Sequence, residues 1–309
     1  MVSGAAPRDP ASSERRLAFL ALLTLLAMTA CWGSTFFLIH GLVERVPAVD
    51  FLAVRFGIAS VAMLALAPRA IARLDPRTRR RAMVLGLLYG AAQILQTVGL
   101  AHTAASVSGF ITGMYVVFTP LLAALILRTR ITGVTWLAVG LAVTGLAVLT
   151  LGGLGGGIGY GEGLTLVAAG LYAVHIVGLG GWSTPADAIG MSILQCLMIA
   201  AVCFVAAVPG GITLPHRTGD WLAVVYMALF AGAAALLGQT WAQAHLPPTR
   251  SAIVMSMEPV FAAFFAVLLG GESITARMLG GGALVLSAML LVELTPRRKI
   301  EGEVTHIAV

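Results

Sequence analysis

Residues 96–102 read Gln-Thr-Val-Gly-Leu-Ala-His, and residues 239–245 read Gln-Thr-Trp-Ala-Gln-Ala-His. The two stretches lie 143 positions apart, a little under half of the 309 residues. The correspondence runs on at that offset without a gap: Ser108 with Ser251, Met114 with Met257, Val117-Phe118 with Val260-Phe261, and Ile131-Thr132 with Ile274-Thr275. Shared Ala and Leu carry little weight in so apolar a chain. Shared Gln, Thr and His carry more, because polar residues are scarce inside hydrophobic stretches. The chain reads as a duplication whose halves still align.

The composition fixes the solvent. The chain is 59% hydrophobic and 10% charged, with a mean hydropathy of +0.96, where a soluble domain carries roughly 25% charged residues. No Asp, Glu, Lys or Arg occurs in 17–43, 82–127, 131–161, 163–186, 188–216 or 221–249. A bilayer-spanning helix needs about 20 apolar residues, so each run holds at least one span, and 82–127 holds two. Cys31, Cys196 and Cys203 fall in these spans without metal-ligand spacing, so neither disulfides nor a metal site is expected. The net charge of +6 comes from arginines in loops and tails and is no nucleic-acid signal. No cleavable signal peptide is expected, because 17–39 is too long for its apolar core.

The fold expected is all-α, with ten transmembrane helices in two sets of five. Spans are read at 17–39, 49–67, 83–101, 106–127 and 131–151, then 161–181, 188–208, 220–244, 250–270 and 275–294. The organisation is a polar tail 1–16, a first repeat 17–151, a Gly-rich linker 152–160, a second repeat 161–294 and a tail 295–309. With the N-terminus in the cytoplasm, 15 of the 19 Lys and Arg fall on the cytoplasmic side, six of them in the loop 68–81. The positive-inside rule therefore places both termini in the cytoplasm. Five is odd, so the second repeat enters the membrane inverted relative to the first. Inverted repeats underlie alternating access in secondary transporters, with the site near the midplane where the halves meet.

Cys31-Trp32-Gly33-Ser34-Thr35-Phe36, Arg55-Phe56, Ala252 through Glu258-Pro259-Val260, and Gly271-Glu272 resemble the drug/metabolite transporter superfamily, in its form with two EamA-type domains. The resemblance runs from about Leu17 to Leu294. It implies a bacterial inner-membrane, multi-pass carrier, often an exporter of amino acids, metabolites or drugs. One departure stands out: Thr129 occupies the place that Glu272 holds in the second repeat.

Eight residues are the candidates for substrate binding or coupling: Trp32, Arg55, Gln93, Tyr115, Tyr172, His175, Gln239 and Glu258. A carboxylate inside an apolar span is costly unless it is paired, protonated or facing water. Glu258 is thus either a cavity group that takes a proton or a substrate ammonium, or a carboxylate at the cytoplasmic mouth bonded to a neighbouring helix. Arg55 could bind a substrate carboxylate or snorkel to the outer interface, and its position early in span two favours snorkelling. His175 aligns with Trp32 at the 143 offset, which puts both near the pseudo-symmetric centre. Gln93 and Gln96 share one helical face, as do Gln239 and Gln243, for lining or for interhelical bonding. Tyr115, Tyr172 and Trp241 line a pathway or pack. His102 and His245 sit at helix ends and are expected to cap there rather than relay protons. Gly86/Gly90 and Gly109/Gly113 have the spacing that lets helices approach closely.

No His-Glu-x-x-His, Walker lysine or Gly-x-Ser-x-Gly elbow occurs, and 152–161 lacks Gly-x-Gly-x-x-Gly spacing. No enzyme activity and no cofactor is expected. The expected function is secondary active transport, as an exporter of a small polar or amphipathic metabolite, with proton coupling as one mode. The alternatives are uptake of the metabolite, or a non-transporting scaffold or accessory subunit. The expected partners are a small-molecule substrate and the lipid bilayer, in a monomer or homodimer.

Overall fold

The computed structural model describes residues 10–103, 105–128, 130–150, 159–270 and 274–295. The expected glycine-rich linker, the outer parts of both tails, Thr129 and Gly271-Glu272 lie outside them, save that residues 159 and 160 of the linker are described. Every regular element among the described residues is helical. The α-helices in chain order are α1 (Pro10–Gly33), α2 (Thr35–Val43), α3 (Ala48–Leu66), α4 (Pro76–Leu100), α5 (Ala105–Gly113), α6 (Tyr115–Ile126) and α7 (Gly133–Thr150). They are followed by α8 (Tyr160–Trp182), α9 (Ala188–Ala207), α10 (Thr218–Ala228), α11 (Ala235–Gln243), α12 (Pro248–Met255), α13 (Glu258–Gly270) and α14 (Ala276–Leu294). A π-helical turn, Leu229–Ala234, joins α10 to α11.

Seven helical stretches are long and apolar enough to cross a membrane, and three shorter apolar helices accompany them, 111–126, 133–148 and 276–292. Large apolar side chains stand on the outside of the bundle, among them Leu125 at 77% and Val205 at 75% exposure. In water such a surface would associate; in a bilayer it is the solvent-facing side. The protein is a multi-pass membrane protein.

Helix α1 begins at Pro10, so it extends into the expected tail, where Glu14, Arg15 and Arg16 remain exposed. Three expected spans are each broken into two helices. The first breaks at Ser34, between α1 and α2; the fourth at Met114, between α5 and α6; the ninth at Ser256-Met257, between α12 and α13. Met114 and Met257 are 143 positions apart, so the fourth and ninth spans break at the same place in the two halves. Pro259, which has no N–H to continue the ladder, follows the second of these breaks.

The packing follows the duplication. Helix α1 lies against α11 and α13, and its counterpart α8 lies against α4 and α6. The first helix of each half is thus cradled by the third and fourth of the other. Helix α7 pairs with α14, and α3 with α9. Close approach is built from small residues. A Cβ on Gly86 would lie 2.7 Å from Met198 Cβ, and one on Gly33 would lie 2.7 Å from Phe261 Cβ and 2.8 Å from Ala262 N. These glycines let α4 press on α9, and α1 press on α13.

Candidate functional site

All eight candidate residues line one central cavity of about 70 Å³. Its walls are completed by Thr35, Phe36, Ile39, Tyr89, Gln96, Thr97, Leu100, Thr112, Ile176 and Met255.

The lining respects the duplication. Four pairs of lining residues stand 143 positions apart: Trp32 with His175, Gln96 with Gln239, Thr112 with Met255, and Tyr115 with Glu258. The cavity is therefore built where the two halves meet. It is not symmetric along its length. Phe36, Ile39, Thr97 and Leu100 line it, but their counterparts Leu179, Trp182, Thr240 and Gln243 do not. Leu179, Thr240 and Gln243 are buried, and Trp182 packs beneath the Arg81 guanidinium, 5.5 Å from ring centre. The cavity runs toward the ends of α2 and α4 and is closed at the ends of α8 and α11.

Helix α4 supplies its wall through Tyr89, Gln93, Gln96, Thr97 and Leu100, spacings that keep them on one helical face. Gln93 Nε2 donates to Tyr172 Oη at 2.8 Å, Tyr172 donates to Gln96 Oε1 at 2.6 Å, and Gln96 Nε2 donates to Thr112 Oγ1 at 3.1 Å. This chain ties α4 to α8 and α5, so Gln93 and Gln96 bond between helices and line the cavity at once. Tyr89 meets Tyr172 and His175 edge-on, with ring centres 5.4 and 4.9 Å away.

Arg55 does not snorkel. It is 3% exposed, and its Nε and Nη2 donate to the carbonyls of Met227 at 3.3 Å and Ala231 at 3.1 Å. Phe56 and Phe51 lie 5.0 and 5.9 Å from the guanidinium, within cation–π range. Trp32 Nε1 donates to the same Ala231 carbonyl at 3.0 Å. Ala231 belongs to the π-helical turn, an interruption of the α ladder of the kind often found at functional sites. The expected interfacial position for Arg55 is thus corrected by carbonyls from α10 and the π turn, which hold the guanidinium inside. Among the described residues no carboxylate pairs with it.

Glu258 opens α13, where the helix dipole favours negative charge. Among the described residues its carboxylate has no hydrogen-bond or ion-pair partner. The mouth reading, in which a neighbouring helix satisfies it, is not what the structure shows.

Other sequence expectations divide. His102 and His245 each bond Nδ1 to the carbonyl four residues back, Val98 and Trp241, both at 2.9 Å, the same helix-end arrangement in both halves. Trp241 is outside the lining and packs on His245. The three cysteines are free, and no cluster of three His, Cys, Asp or Glu converges among the described residues. Tyr89 and Gln195 were not among the candidates. Tyr89 could have been found from its spacing of four to Gln93; Gln195, alone on α9 and aligned with Leu52, carried no such signal.

At the face toward which the cavity runs, Arg45, between α2 and α3, pairs with Asp220 at the start of α10, at 2.6 Å. The Asp220 carboxylate holds the Arg45 guanidinium above its ordinary range. Asp50 accepts a hydrogen bond from Thr213 N at 2.9 Å, again joining first half to second.

The profile of the EamA-like transporter family matches the chain twice, over residues 19–151 and 159–294. An uncharacterized transporter of Archaeoglobus fulgidus is 28% identical over 275 residues, which cover 89% of this chain and 84% of that protein. The uncharacterized inner membrane transporter YedA of Escherichia coli K12 is 26% identical over 277 residues, 86% of this chain and 89% of YedA. A protein crystal structure is similar in fold, with a TM-score of 0.75 at 17% identity, over 94% of this chain and 99% of its own.

Proposed function

The chain belongs to the EamA-like transporter family, and we propose that it is a secondary active carrier exporting a small polar or amphipathic metabolite by alternating access. In this reading ten helical crossings, five in each half, form an inverted repeat in the inner membrane with both termini in the cytoplasm. The protein works as a monomer or homodimer. The eight cavity residues are its substrate and coupling groups, with Glu258 the proton-accepting one.

One observation carries the proposal: the cavity is lined by residues paired across the duplication, and it holds Arg55 and Glu258, neither of which has a partner of opposite charge among the described residues. Buried charges are normally paired, and ionisable residues inside a membrane mark substrate and ion pathways. A scaffold would gain nothing from an unpaired carboxylate and guanidinium in an internal cavity. With the termini in the cytoplasm, the end toward which the cavity runs faces outward, so the closed end at α8 and α11 is the cytoplasmic gate.

Purified protein in liposomes should move solute without ATP, saturably, and in response to an imposed solute or pH gradient. Loading the solute on either side separates export from uptake. If no amino acid, nucleoside, sugar or cationic dye moves under any gradient, the carrier reading is wrong.

A further inference from the structure

We infer that the cavity recognises a primary ammonium group through three acceptors, Glu258, Gln239 Oε1 and His175 Nδ1. The inference rests on the carrier reading and names the cargo chemistry of its site.

Two hydrogen-bond chains lead to it, each anchored on a backbone carbonyl, which can only accept. Gln243 Nε2 donates to the Ile176 carbonyl at 3.0 Å, so Gln243 presents Oε1 to Gln239, whose Nε2 donates at 3.1 Å. The amide orientation of Gln239 is thereby fixed, and its Oε1 is left buried without a partner. Gln195 Nε2 donates to the Met191 carbonyl at 3.3 Å and to Thr240 Oγ1 at 3.4 Å, so its Oε1 faces His175 Nε2 at 2.8 Å. That oxygen accepts, so Nε2 carries the proton. In the neutral ring Nδ1 then bears a lone pair, and it too is buried without a partner.

His175 is fully buried and Gln239 is 2% exposed, and both line the cavity with Glu258, whose partly exposed carboxylate has no hydrogen-bond or ion-pair partner among the described residues. Leaving a buried acceptor unmet costs about 1–3 kcal/mol, so Gln239 Oε1 and His175 Nδ1, beside the partly exposed Glu258 carboxylate, form an unmet demand for donors. Arg55 cannot answer it, because the carbonyls of Met227 and Ala231 hold its guanidinium, and the Tyr115 hydroxyl, buried without a partner in the same lining, brings one donor and no charge. A primary ammonium brings three N–H donors and the positive charge that Glu258 calls for. A quaternary ammonium brings the charge and no donor; a neutral alcohol brings one donor and no charge.

The test needs no mutation to begin. Uptake into liposomes is measured for tyramine, tryptamine, putrescine, leucine and lysine, each beside its N-trimethylated form, together with neutral alcohols and organic anions. At least one primary amine should be moved, and its trimethylated form should bind about tenfold or more weakly, the loss expected for hydrogen bonds to a charged group. Gln239→Leu should weaken the primary amine by about tenfold more than it weakens the trimethylated form. Glu258→Gln should weaken both. Equal handling of the two forms, or movement of anions or alcohols with no amine moved, overturns the ammonium site and leaves the carrier standing. No movement of any solute under any gradient overturns the carrier and the site together.

Discussion

Tyr115 and Glu258 are counterparts 143 residues apart, each the first residue of a helix that resumes after a break, and both line the central cavity. The duplication has kept the break and changed the chemistry at its edge. The first half presents a phenol whose hydroxyl is buried without a partner, the second a carboxylate. Tyr115→Phe should therefore leave the fold intact and reduce transport less than Glu258→Gln does. Comparing initial rates of the two purified variants checks the order.

Arg55 tests the π-helical turn. Its two carbonyl bonds need donors at Nε and Nη2 together, a fork that lysine lacks. Arg55→Lys keeps the charge and should still lower transport by about tenfold, and Arg55→Met should lower it further. Restoration of wild-type rates by lysine would mean that charge alone matters at this position.

Gly33 and Gly41 form a matched pair for packing. A Cβ at Gly33 would collide with the α13 backbone beside Glu258, whereas nothing lies within 4 Å of one at Gly41. Gly33→Ala should cost about 1–3 kcal/mol as an overpacking change and displace Glu258. Gly41→Ala should be neutral or slightly stabilising. Thermal unfolding in detergent distinguishes them.

Much of this site is legible in the sequence, for one physical reason. A polar group in an apolar span has few cheap explanations, so Gln93, Tyr172, His175, Gln239 and Glu258 stand out against their surroundings, and the repeat offset pairs His175 with Trp32. What is not legible is the rotation of each helix, because lipid-facing and protein-facing surfaces are both apolar. Arg55 shows the consequence. Its position early in α3 fits snorkelling, and only the carbonyls of Met227 and Ala231, far away in the chain, hold it inside. The π turn itself, Leu-Phe-Ala-Gly-Ala-Ala, contains no proline to announce it, and its one glycine, Gly232, is no signal in a transmembrane helix, where glycine is common. Gln195 has no polar counterpart in the first half, and its role follows only from its contact with His175.

Asp75 gives a pH-dependent prediction at the entry to α4. Its carboxylate accepts from Thr78 Oγ1 and from the N–H groups of Thr78 and Arg77, which hold it below the usual carboxylate range. A depressed carboxylate stabilises the folded state above its unfolded value, and the contribution is lost as pH falls through the folded one. Protection of the Arg77 and Thr78 amides, corrected for intrinsic exchange, should fall in that acidic window. In Asp75→Asn, which keeps a capping oxygen but does not titrate, the fall should vanish.

Thr97 and Thr240 offer the most direct test of alternating access. They are counterparts across the duplication and both are buried, Thr97 in the cavity lining and Thr240 beyond its closed end. Each is replaced by cysteine in a background without Cys31, Cys196 and Cys203, and labelled in liposomes with a polar thiol reagent. With no gradient, position 97 should label and position 240 should be protected; with the transported solute or a pH gradient applied, labelling at 240 should rise as labelling at 97 falls. Simultaneous labelling of both, or a pattern that no solute or gradient changes, would contradict the account.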